Sequence, residues 1–442
     1  MGILDELAAY RPVTDPEILE TYRRDEADFC AAGMPLAMLR PSTTGEVAEI
    51  VRIAGRYGVP IVPQGARTGL AGGANAVDGC LILSLTGMNQ ILEIDPVNRL
   101  AVVQPGVVNS AISAAVAEHG LWYPPDPGSW ESSTIGGNVS TDAGGMCCVK
   151  YGVTSRYVLG LEVVLADGEI LRTGRRTPKG VAGYDLTRLF TGAEGTLGII
   201  TEITLGLRPR PAAGLSIAAI FPTTQAAGAA VTAIVAGGHV PSLLELLDQV
   251  HLRAIEDYRP MGLRADAAAL LLIADDAQPL EPLAELCAAA GATEVHVATD
   301  AVESAALLAA RRLAHPAMEQ LGKLIIDDVA VPVSRLAELL DGIERIAGRH
   351  GLVIGVVGHA GDGNMHPNIV VSDEAAAEAA FEEIMALGLE LGGTCTGEHG
   401  VGLLKRDWLA RELGPAGVRV HHAIKAALDP RGLLNPGKIL AP

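Results

Sequence analysis

The chain has 442 residues and a mass of 45.7 kDa, more than a single hydrophobic core usually organises, so two or three domains are expected. Apolar residues make up 49% of the chain and charged residues 19%, which excludes an intrinsically disordered protein. With 33 basic and 52 acidic side chains, the formal charge of −19 disfavours sequence-independent binding to nucleic acid or to anionic lipid.

The predicted elements fall into four segments. Residues 1–37 are expected to form an N-terminal helical arm, and residues 38–210 alternate short apolar strands with helices and glycine-rich loops. Arg208-Pro209-Arg210-Pro211 marks a boundary, after which residues 211–415 are predicted to form a second domain of helices and strands. Residues 416–442 are expected to return to the first domain. The predicted fold class is therefore α+β.

Targeting and redox signals favour a cytoplasmic protein. No apolar run approaches the roughly 18–20 residues that a membrane-spanning helix needs. The opening residues lack the basic-then-apolar pattern of a secretory signal. The six cysteines are scattered without a Cys-x-x-Cys pair, which argues against a disulfide framework or a cysteine-held iron–sulfur cluster in this chain.

Three glycine-rich loops of the first domain are the main sign of a ligand. They cover residues 65–69, residues 133–145 and residues 192–198. Glycine lets backbone N–H groups approach a phosphate closely, although a tight turn is the alternative for any one loop. Three such loops suggest a long ligand with a diphosphate in its middle. No Gly-x-Gly-x-x-Gly occurs, so a Rossmann dinucleotide site is unsupported.

Six motifs in this domain occur in a recognisable order, at residues 63–73, 123–127, 134–138, 150–152, 183–186 and 194–201. Together they resemble the FAD domain of the vanillyl-alcohol oxidase superfamily. Within it, the chain resembles the FAD-linked D-2-hydroxy-acid dehydrogenases, a branch with the glycolate oxidase D subunit, D-lactate dehydrogenase and D-2-hydroxyglutarate dehydrogenase. The resemblance runs from about residue 38 to the motif at residues 434–438.

The resemblance implies a PCMH-type FAD-binding domain of two subdomains and an α+β cap domain whose antiparallel sheet supplies the substrate pocket. Residues 65–69 would cradle the diphosphate, residues 134–138 and 143–145 would line the flavin, and Asn435 would close over its ring. Glu194 and residues 198–200 would hold the adenosine. The residues assigned to FAD are Pro63, Gly65, Ala66, Arg67, Thr68, Gly69, Pro125, Thr134, Gly136, Gly137, Asn138, Ala143, Gly144, Gly145, Glu194, Gly198, Ile199, Ile200 and Asn435.

Three details refine the expected cofactor site. Some superfamily members attach the flavin through a histidine in the first loop, but none lies between residues 63 and 74, so FAD is expected to bind non-covalently. Arg67 stands where relatives often carry glycine, and it would add positive charge beside the diphosphate. Asp142 stands where relatives often carry asparagine, and it would remove some.

The segment from His359 to His366 predicts a metal site in the second domain. Its Asp362-Gly363 pair favours a two-residue hairpin turn, which would place the two histidines directly opposite each other on one face. A pair of surface histidines is the alternative, but a carboxylate and another histidine follow downstream at Glu398 and His399. Two imidazoles and one carboxylate would leave a divalent metal with an open position.

The resemblance gives these residues their roles. It implies that His359, His366 and Glu398 bind the metal, which is expected to be zinc, with manganese or iron as alternatives. His399 would accept the proton of the substrate hydroxyl as hydride leaves C2 for flavin N5, because a neutral imidazole is a suitable base near pH 7. The catalytic residue is thus His399.

The resemblance also places the substrate. Arg311 aligns with the arginine that pairs with the substrate carboxylate. Asn368 lies two residues beyond His366 and so shares its face, where it is expected to hold the substrate by a hydrogen bond, with a turn-stabilising amide as its alternative. Ile326 falls where the D-2-hydroxyglutarate branch has a lysine, although a gap would bring Lys323 to that site. The position therefore favours a small monocarboxylate such as D-lactate or glycolate.

The sequence thus predicts an FAD-dependent dehydrogenase that oxidises a small D-2-hydroxy acid to the 2-oxo acid. Because NAD and iron–sulfur motifs are missing from the sequence, its electrons would pass to quinone, an electron-transfer flavoprotein or a partner subunit. A peripheral membrane location through that acceptor and a homodimer stay open. The alternatives are a D-2-hydroxyglutarate dehydrogenase, a non-catalytic subunit, and a non-redox transferase of the alkyl-dihydroxyacetone-phosphate synthase type. The transferase is disfavoured because its family looks to need three consecutive histidines, whereas only His421-His422 are consecutive in this sequence.

Overall fold

The computed structural model describes residues 2–177, 179–277 and 279–441. These residues divide into two compact units. The first unit comprises Met1–Gly144, Val153–Arg210 and Glu398–Pro442, and the second comprises Gly145–Gly152 and Pro211–Gly397. In the described part of the chain, no helix is both long and apolar enough to cross a lipid bilayer.

The α-helices, in chain order, are α1 (Ile3–Glu6), α2 (Pro16–Thr21), α3 (Thr44–Tyr57), α4 (Asn109–Ala117), α5 (Ile135–Thr141), α6 (Cys148–Tyr151), α7 (Leu186–Phe190), α8 (Thr224–Ala236), α9 (Gln249–Tyr258), α10 (Glu281–Ala289), α11 (Ala301–Arg312), α12 (Ala314–Glu319), α13 (Leu336–His350), α14 (Glu374–Glu390) and α15 (Arg406–Leu428). The last of them is interrupted at Gly414, whose φ of 65° is not helical and which precedes Pro415.

The strands, in chain order, are β1 (Ala37–Leu39), β2 (Ile61–Gln64), β3 (Leu81–Ser84), β4 (Ile91–Asp95), β5 (Leu100–Val103), β6 (Leu121–Trp122), β7 (Val158–Val164), β8 (Ile170–Gly174), β9 (Ile199–Gly206), β10 (Arg208–Pro209), β11 (Leu215–Phe221), β12 (Leu243–Asp248), β13 (Ala269–Asp275), β14 (Glu294–Val297), β15 (Leu324–Ile326), β16 (Val329–Ala330), β17 (Ile354–His359) and β18 (Asn364–Val370). Single turns of 3₁₀ helix occur at Ala8–Tyr10, Leu85–Gly87, Thr154–Arg156 and Val333–Arg335.

The first unit contains two main sheets. Strands β1, β3 and β2 form a parallel sheet in that order, and α3 packs its apolar residues into the same core. Strands β4, β5, β9, β7 and β8 form an antiparallel sheet with a second core, to which α4 and α5 contribute. The two sheets thus pack on two separate hydrophobic cores, although Val164 of β7 and Ile199 of β9 lie in the core of the parallel sheet.

The second unit is built on one antiparallel sheet with the order β14-β11-β13-β12-β17-β18-β15, in which β16 also pairs with β18. Every residue of the central strands β12 and β13 is buried, so helices and loops cover both faces of the sheet there. Helices α8 and α13 approach so closely that a Cβ on Gly228 would lie 3.0 Å from the Cα of Ala337. The α+β class, with an antiparallel sheet in the second domain, is confirmed.

The hairpin that carries the two histidines has a different register from the one predicted. His359 pairs with Asn364, and His366 pairs with Val357, so the turn contains four residues rather than two. The prediction of two directly opposed histidines is therefore wrong. A contact with the neighbouring strand stabilises the longer turn, since the Gly361 N–H donates to the carbonyl of Leu244 in β12.

The corrected register still keeps both histidines on one face. The difference between the predicted and observed pairing is two positions, and strand side chains alternate with a period of two. His359, Asn364, His366 and Asn368 consequently project from the same side of the sheet.

A buried glutamate ties the C-terminal segment to the first unit. The carboxylate of Glu194 accepts N–H groups from Val401 at 2.7 Å and from Gly402 at 2.9 Å. Its backbone N–H donates to the carbonyl of Ser140. Burial raises the pKa of Glu194 to about 7, because an ionised carboxylate is poorly solvated in this position.

We expect the stability of the flavin-free protein to depend on the ionisation of Glu194. Its pKa in the folded state lies above the ordinary 4.5. Its contribution to the free energy of unfolding is therefore fully present below pH 4.5 and is lost as the pH rises through about 7. Chemical unfolding at pH 4.5 and pH 7.5 measures the effect. The free energy of unfolding of the wild type should fall by as much as about 3 kcal/mol between the two pH values because of this group, and Glu194→Gln should lack that fall. The exposed Glu118→Gln serves as the control and should follow the wild type. Parallel pH profiles for wild type and Glu194→Gln would contradict the assignment.

Candidate functional site

The glycine-rich loops of the first unit pack against one another. Gly65 directly follows β2, and a Cβ there would lie 2.2 Å from the Oγ1 of Thr134. A Cβ on Gly195 would lie 2.5 Å from the Cγ of Pro63. Glycine at both positions therefore lets the loops meet with Thr134 and Pro63 in their present places.

Asn435 joins the C-terminal motif to the same loops. Its Nδ2 donates to the carbonyl of Gly73 at 2.9 Å and to the carbonyl of Glu194 at 2.8 Å. Its backbone N–H also donates to the carbonyl of Ile61. The structure thus brings together the first, second and third predicted FAD segments and the predicted flavin-closing residue.

Several buried polar atoms in these segments have no hydrogen-bond partner among the described residues. They include the Oγ1 of Thr134, the Nδ2 of Asn138, the Oδ1 of Asn435, the Oγ of Ser133 and the Oε1 of Gln64. Buried polar groups in folded proteins are nearly always paired. Their number in one set of glycine-rich loops therefore fits a polar ligand such as FAD.

Other residues that were predicted to bind FAD have packing or hydrogen-bonding roles within the protein. A Cβ on Gly136 would lie 2.5 Å from the Cβ of Pro105, and one on Gly198 would lie 2.3 Å from the Cγ1 of Val163, so both glycines permit close packing within the protein. The carbonyl of Pro125 accepts the Nδ2 of Asn109 at 3.1 Å.

The remaining predicted residues fall into three groups. Ile199 and Ile200 place their side chains in the two cores, so only their backbone is available to a ligand. Gly145 begins the segment that belongs to the second unit. Ala66, Thr68, Gly69 and Ala143 lie in loops, whereas Gly137 lies in α5, which replaces part of the loop predicted over residues 133–145. Their contacts with FAD stay a prediction.

Arg67 and Asp142 both have positive φ values, 62° and 53°. This explains why glycine or asparagine suits these positions, because both adopt the left-handed region readily. The guanidinium of Arg67 lies 4.4 Å from the centre of the Tyr22 ring, where it makes a cation–π contact. The carboxylate of Asp142 accepts the N–H of Ser155 at 2.6 Å. It therefore has a structural partner of its own.

The second unit contains the two predicted metal-binding histidines. The ring centroids of His359 and His366 are 5.1 Å apart, and the ring planes make an angle of 83°. Both residues are buried. Two imidazoles at this separation can bind one cation.

A buried carboxylate connects one of these histidines with the predicted substrate arginine. Oε1 of Glu245 lies 2.7 Å from the Nδ1 of His359, and its Oε2 accepts the Nε–H of Arg311 at 2.6 Å. Burial raises the pKa of Glu245, but the neighbouring His359 and Arg311 outweigh it and lower the pKa overall. An ionised carboxylate can only accept hydrogen bonds, so we expect Nδ1 of His359 to be the donor in this contact.

A second buried carboxylate lies beside His366. Oδ1 of Asp328 is 3.7 Å from the Nδ1 of that histidine. Its Oδ2 accepts the hydroxyl of Thr396 at 2.7 Å and the N–H of Gly397 at 2.9 Å. Asp328 thus fixes the backbone that immediately precedes Glu398.

The two downstream residues belong to the first unit. There, a Cβ on Gly144 would lie 2.2 Å from the Oε2 of Glu398, so the carboxylate lies against a predicted flavin loop. His399 follows it in the chain, and Gly400 beside it has a φ of 85°. That Glu398 binds metal and that His399 accepts a proton stay predictions.

Asn368 is buried, and its Nδ2 donates to the carbonyl of His366 at 2.8 Å. This bond supports the alternative of a locally stabilising amide, and a contact with substrate stays a prediction. On the neighbouring strand Ile326 pairs directly with Asn368, so the apolar side chain of Ile326 shares its face.

Three residues of the site were missed in the sequence, namely Glu245, Asp328 and Asn364. Glu245 interrupts the apolar run Leu-Leu-Glu-Leu-Leu, and a lone charge in a buried strand is a signal that could have found it. The Oδ1 of Asn364, which shares the face of the histidines, has no hydrogen-bond partner among the described residues.

Comparison with known families agrees with this architecture. The family described as FAD linked oxidases, C-terminal domain, matches residues 210–439, and the FAD binding domain matches residues 35–174. The glycolate oxidase subunit GlcD of Bacillus subtilis is 45% identical over 92% of this chain and 89% of its own length. A D-lactate dehydrogenase of Anaerostipes hadrus is 36% identical over 98% of this chain and 95% of its own.

Solved structures support the same fold at low sequence identity. p-Cresol methylhydroxylase with substrate bound superposes with a TM-score of 0.81 at 20% identity, covering 99% of this chain and 96% of that one. Alkyldihydroxyacetonephosphate synthase gives a TM-score of 0.75 at 18% identity, covering 98% and 84%. By its sequence matches, the chain belongs to the family of FAD-linked oxidases, in the branch that contains these glycolate oxidase subunits and D-lactate dehydrogenases.

Proposed function

We propose that this FAD-linked oxidoreductase oxidises a small D-2-hydroxy acid, D-lactate or glycolate, to the corresponding 2-oxo acid. The observation that carries the proposal is the buried group in the second unit, where two imidazoles lie 5.1 Å apart and one of them is joined through Glu245 to Arg311. Such a group offers a cation site next to a carboxylate-binding side chain, which are the two features that a hydroxy acid requires.

The residues of the first unit fit FAD, which when bound accepts the hydride equivalent. Thr134, Asn138 and Asn435 would supply polar contacts from atoms that have no hydrogen-bond partner among the described residues. Residues 65–69 would supply backbone N–H groups to the diphosphate. The side chain of Arg67 lies in this loop and would add positive charge there.

His359, His366 and Glu398 would hold a divalent cation, with zinc as the expected metal and manganese or iron as alternatives. The cation, when bound, supplies positive charge next to the substrate's hydroxyl oxygen. His359 would use Nε2, because its Nδ1 is engaged with Glu245. Glu398 directly follows Gly397, whose N–H is held by Asp328 beside His366. This placement supports its role as the third ligand.

The other side chains would bind and deprotonate the substrate. Arg311 donates through Nε to Glu245, so its two Nη groups would pair with the substrate carboxylate. His399 would accept the hydroxyl proton, and Asn368 would orient the substrate. Ile326, which shares a face with Asn368, offers no charge to a second carboxylate and therefore favours a monocarboxylate.

Electrons would then leave for a separate acceptor: a partner subunit, quinone or an electron-transfer flavoprotein. The name of the Bacillus subtilis relative, a subunit of glycolate oxidase, supports a partner subunit. A homodimer and a peripheral membrane location through the acceptor stay part of the proposal, within a cytoplasmic setting.

The proposal is tested by anaerobic bleaching of the flavin with a panel of hydroxy acids. D-Lactate or glycolate should bleach the flavin absorption, whereas L-lactate should not. Dialysis against a chelator should slow bleaching, and added zinc or manganese should restore it. Faster bleaching by D-2-hydroxyglutarate would favour that substrate instead. No bleaching by any D-2-hydroxy acid, with metal restored, would refute the proposed activity.

Substitution of Gly65 should impair flavin binding. In Gly65→Ala the new Cβ would lie 2.2 Å from the Oγ1 of Thr134, so either the Thr134 hydroxyl must rotate out of place or the two segments must move apart. We expect the ratio of FAD to protein, measured by absorbance, to fall at least several-fold. Gly128→Ala is the matched control because a Cβ there meets no atom within 4 Å. Full flavin content in Gly65→Ala would show that the loop contact is dispensable.

His399→Asn should slow flavin reduction by about 10²–10⁴-fold if His399 is the general base, since that is the usual contribution of such a group. Metal content and FAD content should stay at the wild-type values. His422→Asn, an exposed histidine, is the control. Rapid-reaction absorbance measures the rate, and near-wild-type reduction in His399→Asn would eliminate this assignment.

A further inference from the structure

Glu245 occupies the middle of β12, the strand that links the hairpin of the histidines to the rest of the sheet. Its relative exposure is 0%. In the sheet register it pairs directly with His359 on β17, and with Leu272 on β13 on its other side. Its position opposite His359 is therefore set by backbone hydrogen bonds as well as by its side chain.

Each carboxylate oxygen of Glu245 has a different partner. Oε1 lies 2.7 Å from the Nδ1 of His359, and Oε2 accepts the Nε–H of Arg311 at 2.6 Å. Burying an ionised carboxylate is costly unless such charge-assisted bonds compensate for the lost water. One carboxylate thus fixes two side chains that the proposed function gives to different tasks.

We propose that Glu245 is a positioning residue that couples the cation site to the substrate-carboxylate site. This inference rests on the proposed function. The bond to His359 would set the tautomer in which Nε2 presents its lone pair to a metal. The bond to Arg311 would fix the plane of the guanidinium so that its Nη groups face outward from Glu245. Loss of the carboxylate should therefore affect metal affinity and substrate affinity together.

The same strand offers a matched control three residues further on. Asp248 is also buried, and its Oδ1 lies 2.9 Å from the Nδ1 of His251 while its Oδ2 accepts the N–H of Val356 at 2.7 Å. The chemistry resembles that of Glu245, but His251 has no place in the proposed site. If Glu245 had only a structural role, removing its charge would affect metal and substrate affinity no more than removing the charge of Asp248.

Glu245→Gln is the main test, because glutamine keeps the volume but offers one acceptor oxygen to two donors. In the FAD-loaded protein, we expect Zn²⁺ affinity, measured by competition with a chromophoric chelator, to weaken 10–100-fold. With saturating metal, the KM for D-lactate or glycolate should rise about 10-fold, and FAD content should not change. Asp248→Asn should keep the wild-type metal affinity and KM even where its thermal stability falls.

A double-mutant cycle checks that Glu245 acts through Arg311. In an Arg311→Ala background, Glu245→Gln should no longer raise KM but should still weaken Zn²⁺ binding. If the wild type binds no metal or no hydroxy acid bleaches its flavin, the proposed function fails. If the wild type does both, and Glu245→Gln behaves like Asp248→Asn, the coupling inference is overturned.

A measurement on the wild type covers the case in which Glu245→Gln does not fold. At a pH at which the imidazole is neutral, ¹⁵N NMR of the metal-free, FAD-loaded protein with labelled histidine should show His359 protonated on Nδ1 and not on Nε2. His359→Gln identifies the signal. A proton on Nε2 would refute the orientation by Glu245 without any change in the sequence at position 245.

Discussion

A carboxylate buried in the middle of an antiparallel sheet needs a donor for each oxygen, and Glu245 finds them in His359 and Arg311. The sheet register aligns Glu245 with His359, while α11 supplies Arg311. The positions of both side chains therefore depend on the rigidity of regular elements. If the chemistry is as proposed, the cation site and the carboxylate site share one electrostatic anchor.

The first unit meets a different constraint, the close approach of backbone segments. Gly65 and Gly195 let the loops touch Thr134 and Pro63, and a side chain at either glycine would displace these contacts. Asn435 then joins the loops by donating to two carbonyls, while its Oδ1 has no partner among the described residues. Close packing with polar atoms left unsatisfied is the pattern of a site completed by a ligand.

Motif spacing predicted the α+β class and the shared face of His359 and His366. Each of these depends on local chemistry or on strand alternation, which the sequence displays directly. The turn length was mispredicted because Gly361 bonds to Leu244, a residue far from it in the chain. Likewise, Glu245 is 114 positions from His359 and 66 from Arg311, so its role depends on long-range pairing that one sequence does not reveal.

The two carboxylates beside the histidines differ in what they orient. Glu245 makes a direct bond to His359, whereas Asp328 stays 3.7 Å from His366 and gives its other oxygen to Thr396 and Gly397. The first arrangement fixes a side chain on a strand, and the second fixes a stretch of backbone. Since Glu398 is bonded directly to Gly397, any cation that recruits Glu398 would also depend on Asp328. The same loss of charge should therefore have different consequences at the two positions: at Glu245 it would release the ring of His359, and at Asp328 it would release the backbone before Glu398.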